Sequence, residues 1–244
     1  MKGGKAALHE TLKRQILTLD LAPDQDLDET SLSETCGISR TPVRDVLRQL
    51  AAEGYVDIRE NKGARVIPMN HATLQDFFLV APLVYEAVGR LAVENLRPAQ
   101  MQDLKHCQER FRSAMQARNP ASMVIENNRF HAIIGEMANS AFLKPSLSKL
   151  LIDHARIGYT FFKPSNDETE TNLATSCRHH DQFIEAIEGS DVASVVRLVF
   201  DHWELSRRNM ELFIAPASLA SDAMTRLKPE ASGPRKTRMR PALA

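Results

Sequence analysis

The strand-forming signal of this sequence is confined to one short stretch, with helical periodicity on both sides of it. Residues 55–59 (YVDIR) and 64–67 (ARVI) favour β-structure, and a turn signal separates them. Helical patterns precede this hairpin at 7–19, from near Thr30, and at 40–53. Three helices followed by a hairpin predict a winged helix-turn-helix over residues 1–70.

Local signals place the second and third of these helices. Ser31 and Glu34 have the spacing of a capping box, which predicts that the second helix starts there. Ser39 is expected to cap the third helix with its hydroxyl group. Pro42 is tolerated in the first turn of that helix, because the N–H that it lacks would have no helical acceptor.

Beyond the hairpin the pattern lapses at 68–72, which predicts a linker, and strand signals do not return. Six helical stretches follow, most of them bounded by proline or glycine: 73–96, 98–117, 120–139, 141–163, 170–188 and 191–213. We therefore expect a mainly α protein in which an all-α bundle occupies 73–216. Residues 218–244 are rich in Pro, Ala and basic residues without apolar periodicity, and are predicted to form a disordered tail.

Composition narrows the class of protein. No run approaches the roughly 20 apolar residues that a membrane span requires, so we expect no contact with a membrane. The three cysteines have spacings unlike those of metal-binding knuckles, which favours a reducing compartment, the cytoplasm. Because 31 basic and 31 acidic residues give no net charge, only the local distribution of charge can indicate nucleic-acid binding.

A stripe of arginines on the third predicted helix supplies such a local signal. Arg40, Arg44 and Arg48 are spaced four residues apart and therefore share one helix face, where like charges repel unless an anion lies between them. Arginine suits phosphate oxygens and guanine edges, because its planar group donates two parallel hydrogen bonds. The alternative for the stripe alone is a solvated face balanced by Asp45 and Glu53.

Longer motifs surround this stripe and carry a family resemblance. They are LSE at 32–34, GISRTPVRDVL at 37–47, LAAEGYV at 50–56 and NKGARV at 61–66. Residues 8–68 closely resemble the winged-helix reader of the bacterial GntR regulators. The resemblance implies a homodimer that binds a short palindromic operator in double-stranded DNA, in the bacterial cytoplasm.

In that family the recognition helix enters the major groove and the wing approaches the minor groove. The resemblance implies DNA contacts from Arg40, Thr41 and Arg44, with Arg48, Lys62 and Gly63 as further candidates. Gly63 has two interpretations that remain open here: it lets the wing backbone approach DNA, or it supplies a positive φ in the turn.

Four polar residues lie where the helical period predicts core. Asn127 and His131 are four residues apart on one helix, and His180 and His202 lie on apolar stripes of two others. Any one of these histidines is more often a hydrogen-bonded core residue than a metal ligand. Together, neutral imidazoles and an amide oxygen from three helices suit a divalent transition metal.

A second resemblance bears on these residues. Residues 73–214 resemble the FCD ligand-binding domain of the FadR-type branch, many of whose members bind a metal. The sequence NNRFH at 127–131 matches the family's first ligand pair, and the HDQF that starts at His180 and the later His202 match the others. The resemblance implies one Zn, Ni or Mn ion per chain, held by Asn127, His131, His180 and His202, and a small carboxylate metabolite as effector.

The chain departs from the family pattern in two places. Asn127 stands where Asp is commoner, which leaves the metal cluster with a charge near +2 and should favour an anionic effector. Pro82 is expected to kink or restart the first bundle helix, which makes effector contacts hard to transfer from relatives. Arg90, Arg156 and Tyr159 are the candidate effector contacts, with surface charge or core packing as the alternative.

We therefore interpret the chain as a dimeric one-component transcription factor, a repressor, in which a metal-bound carboxylate changes the distance between the paired readers. One alternative keeps the reader but makes the bundle site metal-free or purely structural. Another is a three-histidine metallohydrolase fused to a DNA-binding module. The second alternative lacks a general base, because Glu136 points away from the face of His131.

Overall fold

The computed structural model describes residues 4–60, 62–163 and 166–214, the last six of these by their backbone alone. Its helices are α1 Lys5–Leu17, α2 Glu29–Cys36, α3 Arg40–Glu53, α4 His71–Glu94, α5 Pro98–Gln116, α6 Pro120–Ala138, α7 Leu143–Phe161, α8 Asp167–Glu188 and α9 Val192–Ile214. Its strands are β1 Asp26–Leu27, β2 Val56–Arg59 and β3 Gly63–Val66. The mainly α fold with an N-terminal winged helix-turn-helix is confirmed, whereas the predicted tail at 218–244 lies outside the described residues.

The N-terminal sheet has one strand more than the sequence indicates. Its order is β1-β3-β2 and both pairings are antiparallel, with Val56 opposite Val66 and Leu27 opposite Ala64. A strand of two residues is too short to show a period of two, so β1 leaves no pattern to read. The guanidinium of Arg65 on β3 donates to the carboxylate of Asp26 on β1, at 2.6 and 2.9 Å.

Two of the predicted helix caps are wrong. Asp28, immediately after β1, caps α2 by accepting a hydrogen bond from the Ser31 N–H at 2.8 Å, so the helix begins before the proposed box of Ser31 and Glu34. Because β1 ends at Leu27, the carboxylate of Asp28 lies next to the backbone N–H groups of the first turn of α2, which have no helical acceptor. Ser39 occupies the N-cap position of α3, but its side chain makes no capping bond.

Helix α4 begins earlier than expected and continues through its proline. Asn70 and Thr73 form a reciprocal capping box, which ends the predicted linker early. The helix runs unbroken past Pro82, so the predicted restart does not occur. The buried side chains of Phe77 and Ala81, on the turn before the proline, anchor the helix across the missing hydrogen bond.

The reader and the bundle share apolar core. The buried cluster that contains Leu12 of α1 and Leu50 of α3 extends to Phe111, Met123 and Ile152 of the bundle. Within the described residues, no helix combines the length and apolar character needed to cross a lipid bilayer.

A buried arginine connects α7 to the linker. Arg156 is fully buried, and its guanidinium donates to the carbonyl oxygens of Ile67 at 2.9 Å and Pro68 at 3.1 Å. It also donates to Asp153 on its own helix. The chain that leaves the wing is therefore held by its backbone against the bundle.

Candidate nucleic-acid interface and histidine chamber

The outer face of α3 carries the predicted reading residues. Arg40, Thr41, Arg44 and Arg48 are all exposed, whereas the apolar residues of the same helix, such as Val43, are buried. The spacing of three and four residues accounts for this division into two faces. The stripe is thus available to a partner in solution.

The stripe forms one wall of an open groove of about 460 Å³. The groove lies between α2, α3 and the β2–β3 hairpin and is lined by Asp28, Glu29, Thr30, Arg40, Arg44, Leu47, Arg48, Ile58, Arg59, Glu60, Lys62 and Gly63. The structure therefore brings all the predicted DNA contacts except Thr41 to one groove. It adds Arg59, which the end of the YVDIR run could have suggested.

An acidic residue of α2 engages the central arginine. The Nε of Arg44 donates to Oε2 of Glu29 at 2.6 Å, although more than half of the arginine side chain is exposed. This pair balances the charge of Arg44 in the DNA-free protein.

Gly63 has a structural requirement of its own. Its φ is +80°, and a Cβ at this position would collide with the carbonyl oxygen of Leu27. Of the two interpretations of this residue, the conformational one is confirmed. A close approach of its backbone to DNA stays a prediction.

Five polar side chains gather inside the bundle. Asn127 and His131 lie on α6, His154 on α7, His180 on α8 and His202 on α9, and all are buried. One ring nitrogen from each of His131, His154 and His202 lies within 4.8 Å of the others. The ring centroid of His180 lies 5.5 Å from that of His131 and 5.2 Å from that of His202.

Sequence reasoning missed His154. It lies at helical spacing from the buried Leu147 and Leu151, which is the pattern that singled out the other three histidines. The hydroxyl of Tyr85 shares a hydrogen bond of 2.7 Å with its Nδ1. Burial raises the pKa of Tyr85, so the phenol keeps its proton at neutral pH.

Several polar atoms of these residues have no hydrogen-bond partner among the residues that the structure describes. They are Asn127 Oδ1, His131 Nε2, His180 Nε2 and His202 Nδ1. Buried polar groups are nearly always paired, so an unpaired set on adjacent residues calls for an explanation. Imidazole nitrogens and an amide oxygen are suitable donors to a divalent transition metal, so the residues present fit such an ion.

Gln108 orients the ring of His180. The Nε2 of Gln108 donates to the carbonyl oxygen of Cys177 at 3.0 Å and to Oδ1 of Asp181 at 2.8 Å. Its Oε1 therefore faces Nδ1 of His180, at 3.0 Å, and accepts the proton there. The lone pair of His180 is thereby placed on Nε2, while the ring stacks on Phe130 with centroids 4.0 Å apart.

Burial keeps the imidazoles neutral. It lowers the pKa of His131 and of His202 well below the usual value, with neighbouring imidazoles adding to the effect. It lowers the pKa of His154 to about 4 and that of His180 to about 3. Their nitrogen lone pairs are therefore free of protons at neutral pH.

A small cavity adjoins three of these histidines. Its volume is about 30 Å³, and it is lined by Tyr85, Val88, Gly89, His131, Ile134, His154, Phe183, Val199, His202, Trp203 and Ser206. We call it the histidine chamber. Of the four predicted ligands, His131 and His202 line the chamber, whereas Asn127 and His180 do not.

Sequence models of two protein families match the chain. The model of the FCD domain matches residues 84–205, and the model described as bacterial regulatory proteins, gntR family, matches residues 5–66. The chain belongs to the GntR family and carries an FCD domain.

Relatives of this GntR regulator agree with that assignment. The HTH-type transcriptional repressor RspR of Escherichia coli K12 is 22% identical over 195 residues, which cover 80% of this chain and 83% of RspR. YdhC of Bacillus subtilis, an HTH-type transcriptional regulator, is 18% identical over 196 residues, which cover 80% of this chain and 85% of YdhC.

Solved structures show the same fold. E. coli McbR/YncC has a TM-score of 0.70 at 19% identity, covering 87% of this chain and 97% of that one. Lar, which controls the expression of the Listeria monocytogenes agr system, has a TM-score of 0.57 at 17% identity and covers 87% of this chain and 99% of that one. The GntR regulator is thus a DNA-binding transcriptional regulator and not an enzyme, which sets aside the metallohydrolase alternative.

The candidate effector contacts of this GntR regulator do not reach the histidine chamber. Arg90 is exposed and pairs with Glu86 at 2.8 Å, because it lies on the outer face of α4. Arg156 is committed to the linker. Tyr159 is half-buried, and the Nζ of Lys163 lies 3.8 Å above its ring centroid. The alternative, surface charge for Arg90 and packing for Arg156 and Tyr159, therefore describes these three residues better than effector binding does.

Proposed function

We propose that this regulator is a homodimeric repressor whose operator affinity responds to a small carboxylate bound at a metal in the histidine chamber. The observation that carries the proposal is the set of buried, unpartnered donor atoms next to a cavity in the FCD domain. A site of this kind has a preorganised set of neutral donors, which a merely structural core does not need.

Two sets of residues are candidate ligands for the metal. The family resemblance selects Asn127, His131, His180 and His202, whereas the mutual distances of ring nitrogens favour His131, His154 and His202. His131 and His202 are common to both sets and are the ligands we propose first. A divalent ion bound there would supply a Lewis-acidic centre of charge +2 for a carboxylate oxygen.

The outer face of α4 supports the proposal of a homodimer. Leu79, Val80 and Leu83 are 72%, 44% and 67% exposed, an unusual apolar stripe for a solvent-facing helix. An antiparallel pairing of two such helices centred on Leu83 places Asp76 of one protomer opposite Arg90 of the partner subunit, and the symmetry repeats the pair. We propose this stripe as the protomer interface.

Repression is proposed by analogy with RspR, which is named as a repressor. In a symmetric dimer, the two α3 helices would read the two halves of a palindromic operator. Effector binding would then weaken operator binding by changing how the readers are spaced.

A direct experiment combines metal analysis with operator binding. We expect about one zinc, nickel or manganese ion per chain by elemental analysis, and binding to DNA upstream of the regulator's own gene or its neighbours. Small carboxylates should weaken that binding in the metal-loaded protein only. Full metal content with no effect of any carboxylate would favour a structural metal instead.

The dimer is tested separately. Leu83→Glu places two carboxylates at the centre of the proposed interface and should shift the protein to monomer in analytical ultracentrifugation. Phe142→Glu is the matched control, since Phe142 is 89% exposed, immediately precedes α7 and is not part of the apolar stripe of α4. Dimers of unchanged stability in Leu83→Glu would contradict the interface.

A further inference from the structure

The walls of the histidine chamber contain almost no polar groups besides the imidazoles. Seven of its eleven lining residues present carbon or an indole ring: Val88, Gly89, Ile134, Phe183, Val199, Trp203 and, through its ring, Tyr85. The remaining polar groups of the lining residues are the hydroxyl of Tyr85, which is hydrogen-bonded to His154, the indole N–H of Trp203, and the hydroxyl of Ser206, which donates to the carbonyl oxygen of His202 at 3.4 Å.

No arginine, lysine, aspartate or glutamate lines the chamber among the residues that the structure describes. The fully buried guanidinium of Arg156 on α7 donates its hydrogen bonds to the linker and to Asp153. If a divalent metal binds, its charge is the sole charge on the chamber wall. One carboxylate can bind to that charge, whereas a second polar group of the ligand would lie against a mainly apolar wall.

From this we infer that the effector is a monocarboxylate with a short apolar body, and not a dicarboxylate, tricarboxylate or sugar acid. The inference rests on the proposed metal-assisted function and narrows the class of its ligand. The carboxylate would face the histidine nitrogens, and the carbon chain would lie against residues such as Val88, Ile134 and Val199.

The cost of the excluded ligands supports this choice. A second carboxylate or a hydroxyl group placed against the aliphatic wall would lose its water without gaining a hydrogen bond. That loss is large for a charged group, and at least about tenfold in affinity is expected from 1.4 kcal/mol alone. An apolar body gains instead from the area that it removes from water.

The volume restricts the size of the body. A cavity of about 30 Å³ has room for about two water molecules, at 10–15 Å³ each. A body of a few carbon atoms therefore needs less enlargement of the chamber than a long chain or a fused ring does. Enlarging the chamber would require Trp203 to leave its contacts with Phe77 and Phe78, whose ring centroids each lie 5.2 Å away.

Calorimetric titration of the full-length, zinc-loaded protein tests the inference. The probes are isovalerate, succinate and 3-hydroxybutyrate, which are similar in size and differ in their second polar group. We expect isovalerate to bind at least tenfold more tightly than either of the others. Equal or tighter binding of succinate would overturn the inference while leaving a metal-assisted carboxylate site in place.

Failure of the underlying function has a different signature. Protein that takes up no zinc, or that takes it up and binds none of the three acids, would overturn the proposed function together with this inference. Elemental analysis of the same samples separates these two outcomes from a change in preference.

A designed charge supplies the second test. Ser206→Lys adds a cation to the chamber wall and should shift the preference from isovalerate toward succinate by at least tenfold. Phe200→Lys adds the same charge to a position on α9 that is 46% exposed and outside the chamber. The inference predicts no shift in that control, and an equal shift in both variants would contradict it.

Discussion

The groove of the reader and the histidine chamber solve opposite electrostatic problems. The groove is open to water and lined with arginines and lysine, and the arginine at its centre is paired with Glu29 at 2.6 Å. The chamber lies inside the bundle with mainly apolar walls, and His131 and His202 there are neutral imidazoles that each have a nitrogen without a hydrogen-bond partner in the described part of the chain. The charged arginines of the groove thus lie where water screens them, whereas the imidazoles of the chamber lie where burial lowers their pKa and keeps them neutral.

Removing a chamber donor should have the largest effect. His202→Ala and His131→Ala each delete a donor common to both candidate ligand sets, so metal affinity should fall by more than about 100-fold. Elemental analysis after brief chelation measures the loss. The control variant His106→Ala, at an exposed position on α5, should contain as much metal as the wild type. Unchanged metal content in both chamber variants would contradict the proposed metal site.

The next largest effect is on stability, where replacing a buried arginine should cost more than replacing an exposed one. Arg156→Met leaves the carbonyl oxygens of Ile67 and Pro68 without their donor and should lower the free energy of unfolding by about 3 kcal/mol, the lower end for breaking a buried pair. Arg129→Met, at an exposed ion pair on the surface of α6, should change it by less than about 1 kcal/mol. Urea titration of both variants measures the difference, and equal losses would show that burial does not matter here.

Asn127→Asp should move the two ligands of the chamber in opposite directions. The added negative charge should tighten divalent metal binding and weaken carboxylate binding, each by about 1 to 4 kcal/mol at a partly desolvated site. Titration of zinc and then of isovalerate into wild type and variant, with Asn128→Asp as control, measures both. Asn128 donates to the carbonyl oxygen of Leu151 instead of lying among the unpartnered atoms. Tighter binding of both ligands would mean that the anion does not sense the metal.

The smallest effect belongs to the open groove, where water competes. Arg44→Ala should cost about 1 to 3 kcal/mol of specific operator binding and relax the sequence preference, because a base contact is lost. Lys62→Ala should weaken binding to operator and random DNA alike. Fluorescence anisotropy with both DNAs compares them. An equal loss on both DNAs for Arg44→Ala would make Arg44 a phosphate contact.

How far each region could be predicted follows from how its residues are distributed along the chain. The reader was predictable because its stripe, turn and wing are contiguous, so spacing alone puts Arg40 and Arg44 on one face. Two local features of the reader were not predicted: β1 is too short to show a pattern, and α2 is capped by Asp28, which lies outside the expected capping box.

The chamber was predictable only in part, because its donors come from four helices far apart in sequence. Helical spacing indicates that His131, His180 and His202 are buried, but not which nitrogens meet. His154 and its tyrosine partner, and the orientation of His180 by Gln108, depend on packing between helices. Arg156 shows the same limit, since nothing in its neighbours along the chain indicates a contact with residues 67 and 68.

Because Arg156 binds main-chain carbonyl oxygens, it affects which DNA-binding domains can be combined with this bundle. Because carbonyl groups are present at every residue, the side chains at Ile67 and Pro68 are free to vary while the path of the linker is kept. A foreign reader grafted before residue 67 would be accepted if its wing exits along that path. A graft that shifts the path would leave a cation stranded inside the bundle, so compatibility between modules is a matter of backbone geometry more than of matching sequence.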